Sequence, residues 1–262
     1  MTPERLVRVV SGAGAYGRAT VPDLAFEHPR LAAIYDAFDA DRSDLDGYLA
    51  IAQELGARRV LDVGCGTGTF AVLLAREGFE VTGVDPARAS IDVARGKPGA
   101  ERVRWIVGDA PSLPRLVVDL ATMTGNVAQA ITDPEAWART LSAVYEALKP
   151  DGYLVFETRD PAFRGWEEWT RDRTHRVIDF EDVGEVEKWT ELTEVALPLV
   201  SFRATFVFRA NGDVFTSDST LRFRQRTELE TQLEAIGFVL DGVREAPDRP
   251  GRELVFVARR PL

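Results

Sequence analysis

The sequence predicts a doubly wound, mostly parallel α/β sheet of seven strands that carries an antiparallel β insertion. Three observations predict it. Between residues 59 and 159, short apolar runs alternate with amphipathic helical patterns, as in successive βαβ units. The first run ends in Gly64, Gly66 and Gly68, spaced two apart, and a helical pattern follows at once. After Thr158 the period becomes alternating, with Phe202, Phe206 and Phe208 set between polar or small residues.

The chain has 262 residues and is 45% hydrophobic, enough for one large α/β domain or a core domain with an insertion. Its formal net charge of −10 repels phosphate backbones and disfavours a nucleic-acid partner. Cys65 is the single cysteine, so no intramolecular disulfide forms, which suits a cytoplasmic location. Ser11, Gly12 and Gly14 interrupt the only apolar stretch near the N-terminus, so a signal peptide is not expected. No segment approaches the roughly 18–20 apolar residues that span a bilayer, and no metal site is expected.

In chain order, residues 1–30 read as a short element and a mobile arm. Apolar positions at 31, 34, 35 and 38 give a short amphipathic helix, and 44–55 a second one stopped by Gly56. These helices precede the first core strand and are placed to cover its pocket. Strands follow at 60–63, 79–84, 103–107, 116–123 and 153–158. Helices lie at 69–77, from Asp85-Pro86 to 95, and from Asp133-Pro134 to 148, with Asp as N-cap and Pro as first residue. The insertion strands are 176–180, 186–195, 199–209 and 214–224, and Asn211-Gly212 predicts a two-residue hairpin turn. Thr227 and Glu230 predict a capping box opening the last helix, which Gly237 stops. Strands 238–243 and 254–258 share a short link and so pair antiparallel. This divides the chain into an arm and cover (1–56), a cofactor-binding core (57–159), an insertion (160–224) and a closing helix with two strands (225–262).

Asp62 lies inside an apolar strand, where a carboxylate needs hydrogen-bond donors. The glycine-turn N–H groups are one source, and a cationic ligand group is the functional alternative. Asp85 ends the second strand, where an acid can accept from both hydroxyls of a ribose or cap the next helix. Asp109 follows the third strand, as an adenine contact or as an ordinary turn aspartate. Thr124, Gly125 and Asn126 leave the fourth strand at the carboxyl edge, where open α/β sheets bind ligands.

Asp62-x-Gly64-x-Gly66-x-Gly68, Asp85, Asp109-Ala110 and Met123-Thr-Gly-Asn126 together resemble a class I S-adenosylmethionine-dependent methyltransferase with a Rossmann-like sheet. The resemblance implies that Asp62, Gly64, Cys65, Gly66 and Gly68 hold the methionine part of the cofactor. It implies that Asp85 and Pro86 meet the ribose, that Ile91 packs near adenine, and that Asp109 and Ala110 meet its amine. Thr124 and Gly125 complete the floor. The insertion resembles that of small-molecule N- and O-methyltransferases, where it shapes a substrate pocket or a dimer contact, so a homodimer is an expectation. No Asn/Asp-Pro-Pro-Tyr tetrapeptide follows the fourth strand, so an amino-methylating nucleic-acid or glutamine enzyme has no support.

No indispensable catalytic residue is visible. His175 and Tyr35 are weak candidates for a base, against surface and packing roles. Trp166 and Trp169 either line an aromatic or cationic acceptor site or anchor the insertion. Two other readings stay open, a nicotinamide-dependent oxidoreductase and a non-catalytic protein that binds the cofactor or its product. Thr69 argues against the oxidoreductase, because the dinucleotide fingerprint places a glycine there.

Overall fold

The computed structural model describes residues 22–246 and 248–262, and the backbone of residues 9–13. Strand β1 (Val9–Ala13) precedes helices α1 (Leu24–Glu27) and α2 (Pro29–Ile34), a 3-10 turn at Tyr35–Asp39, and α3 (Asp44–Glu54). The core then runs β2 (Arg59–Val63), α4 (Thr69–Arg76), β3 (Glu80–Asp85), α5 (Arg88–Arg95), β4 (Val103–Val107) and β5 (Val118–Met123). It continues with α6 (Val127–Ala130), α7 (Pro134–Ala147) and β6 (Leu148–Arg159). After α8 (Arg171–Thr174) come β7 (Arg176–Phe180), β8 (Gly184–Ala196), β9 (Leu199–Phe208) and β10 (Asp213–Arg222). Helix α9 (Arg226–Ile236) and strands β11 (Val239–Glu245) and β12 (Glu253–Arg259) close the chain.

The main sheet has seven strands in the order β11-β12-β6-β5-β2-β3-β4. Only β12 runs against its neighbours. The carboxyl ends of β2 to β6 therefore share one edge, and β12 begins at that edge, with Glu253 opposite Arg159. Two apolar layers flank the sheet, each buried Leu or Phe contributing about 1.5–3 kcal/mol. Trp137, Leu141, Leu229 and Leu233 of α7 and α9 fill one layer. Leu45, Ile51, Phe70 and Leu74 of α3 and α4 fill the other. Asp133 accepts from Ala136 N at 2.9 Å, with Pro134 first in α7, as the cap motif predicts.

The second sheet has five strands in the order β1-β10-β9-β8-β7. Its inward face presents Val186, Phe206, Phe208 and Phe215 to Ala25, Leu31 and Ile34 of α1 and α2. The N-terminal helices are thus held between the insertion and α5, where Ser90 donates to Phe26 O.

Several expectations are corrected. The expected short element is the strand Val9–Ala13, which extends into the start of the expected loose arm at residues 11–13 and pairs in parallel with β10. The amphipathic segment starting at Leu31 splits into α2 and the 3-10 turn, and α5 starts at Arg88, later than Asp85-Pro86 implies. The β9–β10 turn is longer than two residues, because the last pair is Phe208 with Asp213. Asn211 Oδ1 accepts from Asp213 N, and Gly212 donates to Phe208 O from a φ of 78°. The capping box at Thr227 does not form: α9 starts two residues earlier than that cap implies, with Gln225 as N-cap, and Glu230 accepts from Arg226 instead. Tyr16, expected with Tyr35 in the covering segment as a residue that could reach the cofactor or the substrate, lies outside the described residues.

Candidate active site

The three glycines of the loop after β2 have different reasons to be glycine, although all have positive φ. A Cβ on Gly64 would lie 2.4 Å from Val127 Cγ2, and one on Gly68 2.4 Å from Trp105 Cη2. These two are fixed by protein packing. A Cβ on Gly66, at φ 53°, would meet nothing within 4 Å. Of the three, Gly66 alone leaves bare backbone open to a ligand.

Asp85 ties this loop to the end of β3. Its Oδ2 accepts from Gly66 N and its Oδ1 from Ala87 N, each at 2.8 Å. Burial raises its carboxyl above the ordinary value, and the two N–H groups oppose that rise. Asp62 is 1% exposed, and the glycine-turn N–H groups do not serve it. Its Oδ1 accepts from Thr122 on β5 at 3.0 Å, and its buried Oδ2 has no partner. Burial pushes this carboxyl up to about 7. Cys65, between the glycines, is partly buried, and burial raises its thiol well above the ordinary value.

Asp109 accepts from Ser112 N and forms a reciprocal capping box with Ser112, so its turn role is realised at the end of β4. Ala110 and Ile91 are buried, at 2% and 0% exposure. Thr124 and Gly125 line the same edge, with Gly125 at φ 72° and open space at its Cβ position. Asn126 adopts φ 62° before α6 without a side-chain cap, so capping does not explain it. The orphaned acid, the open Gly66 and the open Gly125 share the carboxyl edge. A small ligand with a cationic group fits there.

A buried polar group next to this edge has no counterpart in the sequence reading. Glu157, near the end of β6, accepts from Tyr48 OH on α3, and from Asn126 N at 2.9 Å. Gly125 N also donates to it. Burial, with neighbouring Glu253 adding, pushes the Glu157 carboxyl up to about 7. Glu253 accepts from Arg249 at 2.9 Å and lies 3.7 Å from Arg159 Nε. The signal was present: Glu157, like Asp62, is an acid inside an apolar strand. Asp36 of the 3-10 turn accepts from Thr67 at 2.5 Å and pairs with Lys97 at 2.6 Å, fastening the cover to the glycine loop.

Tyr35 sits in that cover, partly buried against Phe26. His175 is placed apart, 3.0 Å from Glu187 and beside Trp189 in the insertion. Trp166 is 2% exposed and packs on Phe223, an anchor, while Trp169 faces the Arg159 guanidinium at 5.8 Å.

A family model described as a methyltransferase domain matches residues 28–242. The chain belongs to this family. Its fold is similar to that of solved S-adenosylmethionine-dependent methyltransferases. This methyltransferase is 36% identical over 123 residues to a putative methyltransferase of Geobacillus sp. (strain WCH70), covering 46% of this chain and 50% of that one. The chain spans about half the length of the curated relatives it matches. The sugar N-methyltransferase KedS8 from Streptoalloteichus sp ATCC 53650 is similar at TM-score 0.71 and 21% identity, covering 96% and 100% of the two chains. The S-adenosylmethionine-bound amino pentose methyltransferase CalS10 from Micromonospora echinaspora is similar at TM-score 0.64 and 22% identity, covering 87% and 96%. These structural likenesses show the fold.

Two expected outcomes follow for the methyltransferase. Asp85→Ala strands the Gly66 and Ala87 N–H groups, so cofactor binding weakens by about 1–3 kcal/mol in a folded variant. Calorimetric titration checks this, and an unchanged Kd removes Asp85 from the site. Asp62 binds a cation only when ionised, and its carboxyl is held up to about 7. Cofactor affinity therefore rises with pH, by roughly tenfold from about pH 6 to about pH 8. Asp62→Asn flattens that profile.

Proposed function

We propose that the chain transfers the methyl group of S-adenosylmethionine to a nitrogen or oxygen of a small-molecule acceptor. The observations that carry this reading are Gly66, open above its backbone, and the unpartnered Oδ2 of Asp62 near the end of the strand leading into the same loop. When bound, the cofactor supplies a methyl on a positively charged sulfur, which an acceptor lone pair takes by in-line displacement.

The chain's own residues bind and align. Asp62 faces the cationic methionine part, the loop around Gly66 receives its backbone, and Asp85 with Pro86 meets the ribose. Ile91, Asp109 and Ala110 frame the adenine end, and Thr124 with Gly125 forms the floor. Alignment alone lowers the barrier by roughly 7–11 kcal/mol at best. The cover and the insertion then enclose the acceptor above the floor. The sugar N-methyltransferase and amino pentose methyltransferase among similar structures support a small acceptor.

The test is a methyl-release screen of the full chain with labelled S-adenosylmethionine and panels of small amines, acids and phenols. Turnover of one panel supports the reading. Cofactor binding with no turnover of any panel favours the non-catalytic binding protein.

A further inference from the structure

A cavity of about 190 Å³ opens between α3 and the outer strands β11 and β12 of the main sheet. Its floor is apolar, built from the buried Tyr48, Ile51 and Val255, with the exposed Ala50 at its mouth. An apolar cavity of about 150 Å³ accepts benzene, so this one has room for a single ring and a short side chain.

Three charged groups ring the opening. Arg244 and Glu54 satisfy each other through two hydrogen bonds of 2.7 Å. Glu245 is exposed, and its carboxylate has no hydrogen bond or ion pair among the described residues. The lining therefore carries one net negative charge beside an apolar floor. The last turn of α3 forms part of the wall and holds no basic residue, so the negative end of that helix adds to the same field. A small aromatic body that carries an ammonium group complements both the floor and the charge.

The position also connects the cavity to the cofactor floor. The Tyr48 hydroxyl donates to Glu157, and Val255 is the cross-strand neighbour of Glu157. Glu157 in turn accepts from Asn126 N and Gly125 N. A ring held between Tyr48 and Val255 packs α3 against β12. It thereby favours the arrangement in which Tyr48 and Glu157 hold the floor loop.

Resting on the methyl-transfer reading for what the floor binds, we propose that this cavity is an effector site for a small aromatic amine, and that filling it tightens cofactor binding. Such coupling is reciprocal, so bound cofactor tightens the amine by the same factor.

The test uses the full chain, with benzylamine and phenethylamine as probes and benzyl alcohol and 2-phenylethanol as their uncharged counterparts. Ligand-observed NMR titration is expected to show at least one amine binding at least about threefold more tightly than its alcohol, the scale of one partly solvated charge pair. Glu245→Gln removes that preference. Ala50→Leu, a good helix former at an exposed position, fills the mouth and abolishes binding of amine and alcohol alike. Calorimetric titration with S-adenosylhomocysteine, with and without saturating amine, is expected to show the Kd falling about fivefold when the amine is present. The proposal is overturned if no amine binds better than its alcohol, if the preference survives Glu245→Gln, or if the amine leaves the S-adenosylhomocysteine Kd unchanged. Failure of S-adenosylhomocysteine to bind the wild-type chain without amine would instead remove the methyl-transfer reading beneath it.

Discussion

Gly66→Val abolishes cofactor binding, raising the Kd for S-adenosylmethionine by more than about a hundredfold, with the far-ultraviolet circular dichroism spectrum retained. Two effects add. Gly66 has φ 53°, which disfavours a β-branched residue by roughly 1–2 kcal/mol. The new side chain also projects into space that no protein atom occupies within 4 Å, so it displaces ligand rather than protein. Gly64→Val and Gly68→Val make the contrast. Their Cβ atoms would be driven against Val127 and Trp105, so those variants lose stability first. Normal binding by a folded Gly66→Val protein would mean that close backbone approach is not why residue 66 is glycine.

Glu157→Ala is the second large effect, a loss of about 3–5 kcal/mol of stability at acidic pH that shrinks as pH rises and the buried wild-type carboxyl ionises. The substitution strands Tyr48 OH, Asn126 N and Gly125 N together in a buried place. Those last two groups belong to the floor loop, so cofactor affinity falls with stability. Glu157→Gln keeps an acceptor for the loop and loses less than half as much. The wild-type pH profile carries the same signature. Burial holds Glu157 up to about 7, above its ordinary 4.5, so the folded state keeps a proton that the unfolded chain has released. Stability therefore falls as pH rises between those two values and levels off above the higher one. Urea denaturation across that range checks this, and Glu157→Gln flattens the slope. An Ala variant as stable as wild type would remove Glu157 as the tie between α3, the floor loop and β6.

The alternation of strand and helix from residue 59 to 159 was legible because each element buries one face, so its period is written locally. The acids at positions 62, 85 and 109 were legible for a related reason: parallel strands put successive strand ends on one edge. Partner choice was not. Asp62 meets Thr122 across the sheet, and Glu157 meets Tyr48 from a distant helix, contacts that no local spacing records. The three glycines looked equivalent in sequence, and only packing separated Gly66 from its neighbours. At 211–212 and 227–230 a local motif lost to its surroundings. The strand register extended the hairpin loop by moving its closing pair outward to Phe208 and Asp213. The Arg226 side chain took the glutamate that the capping box required.

The open glycine turn at the carboxyl edge is proposed to hold S-adenosylmethionine. This is tested most directly by calorimetric titration of the full chain with S-adenosylhomocysteine and, separately, with NAD. Saturable binding of S-adenosylhomocysteine, lost in Gly66→Val, and no binding of NAD are expected. Binding of NAD without S-adenosylhomocysteine, or equal binding by wild type and Gly66→Val, would contradict it.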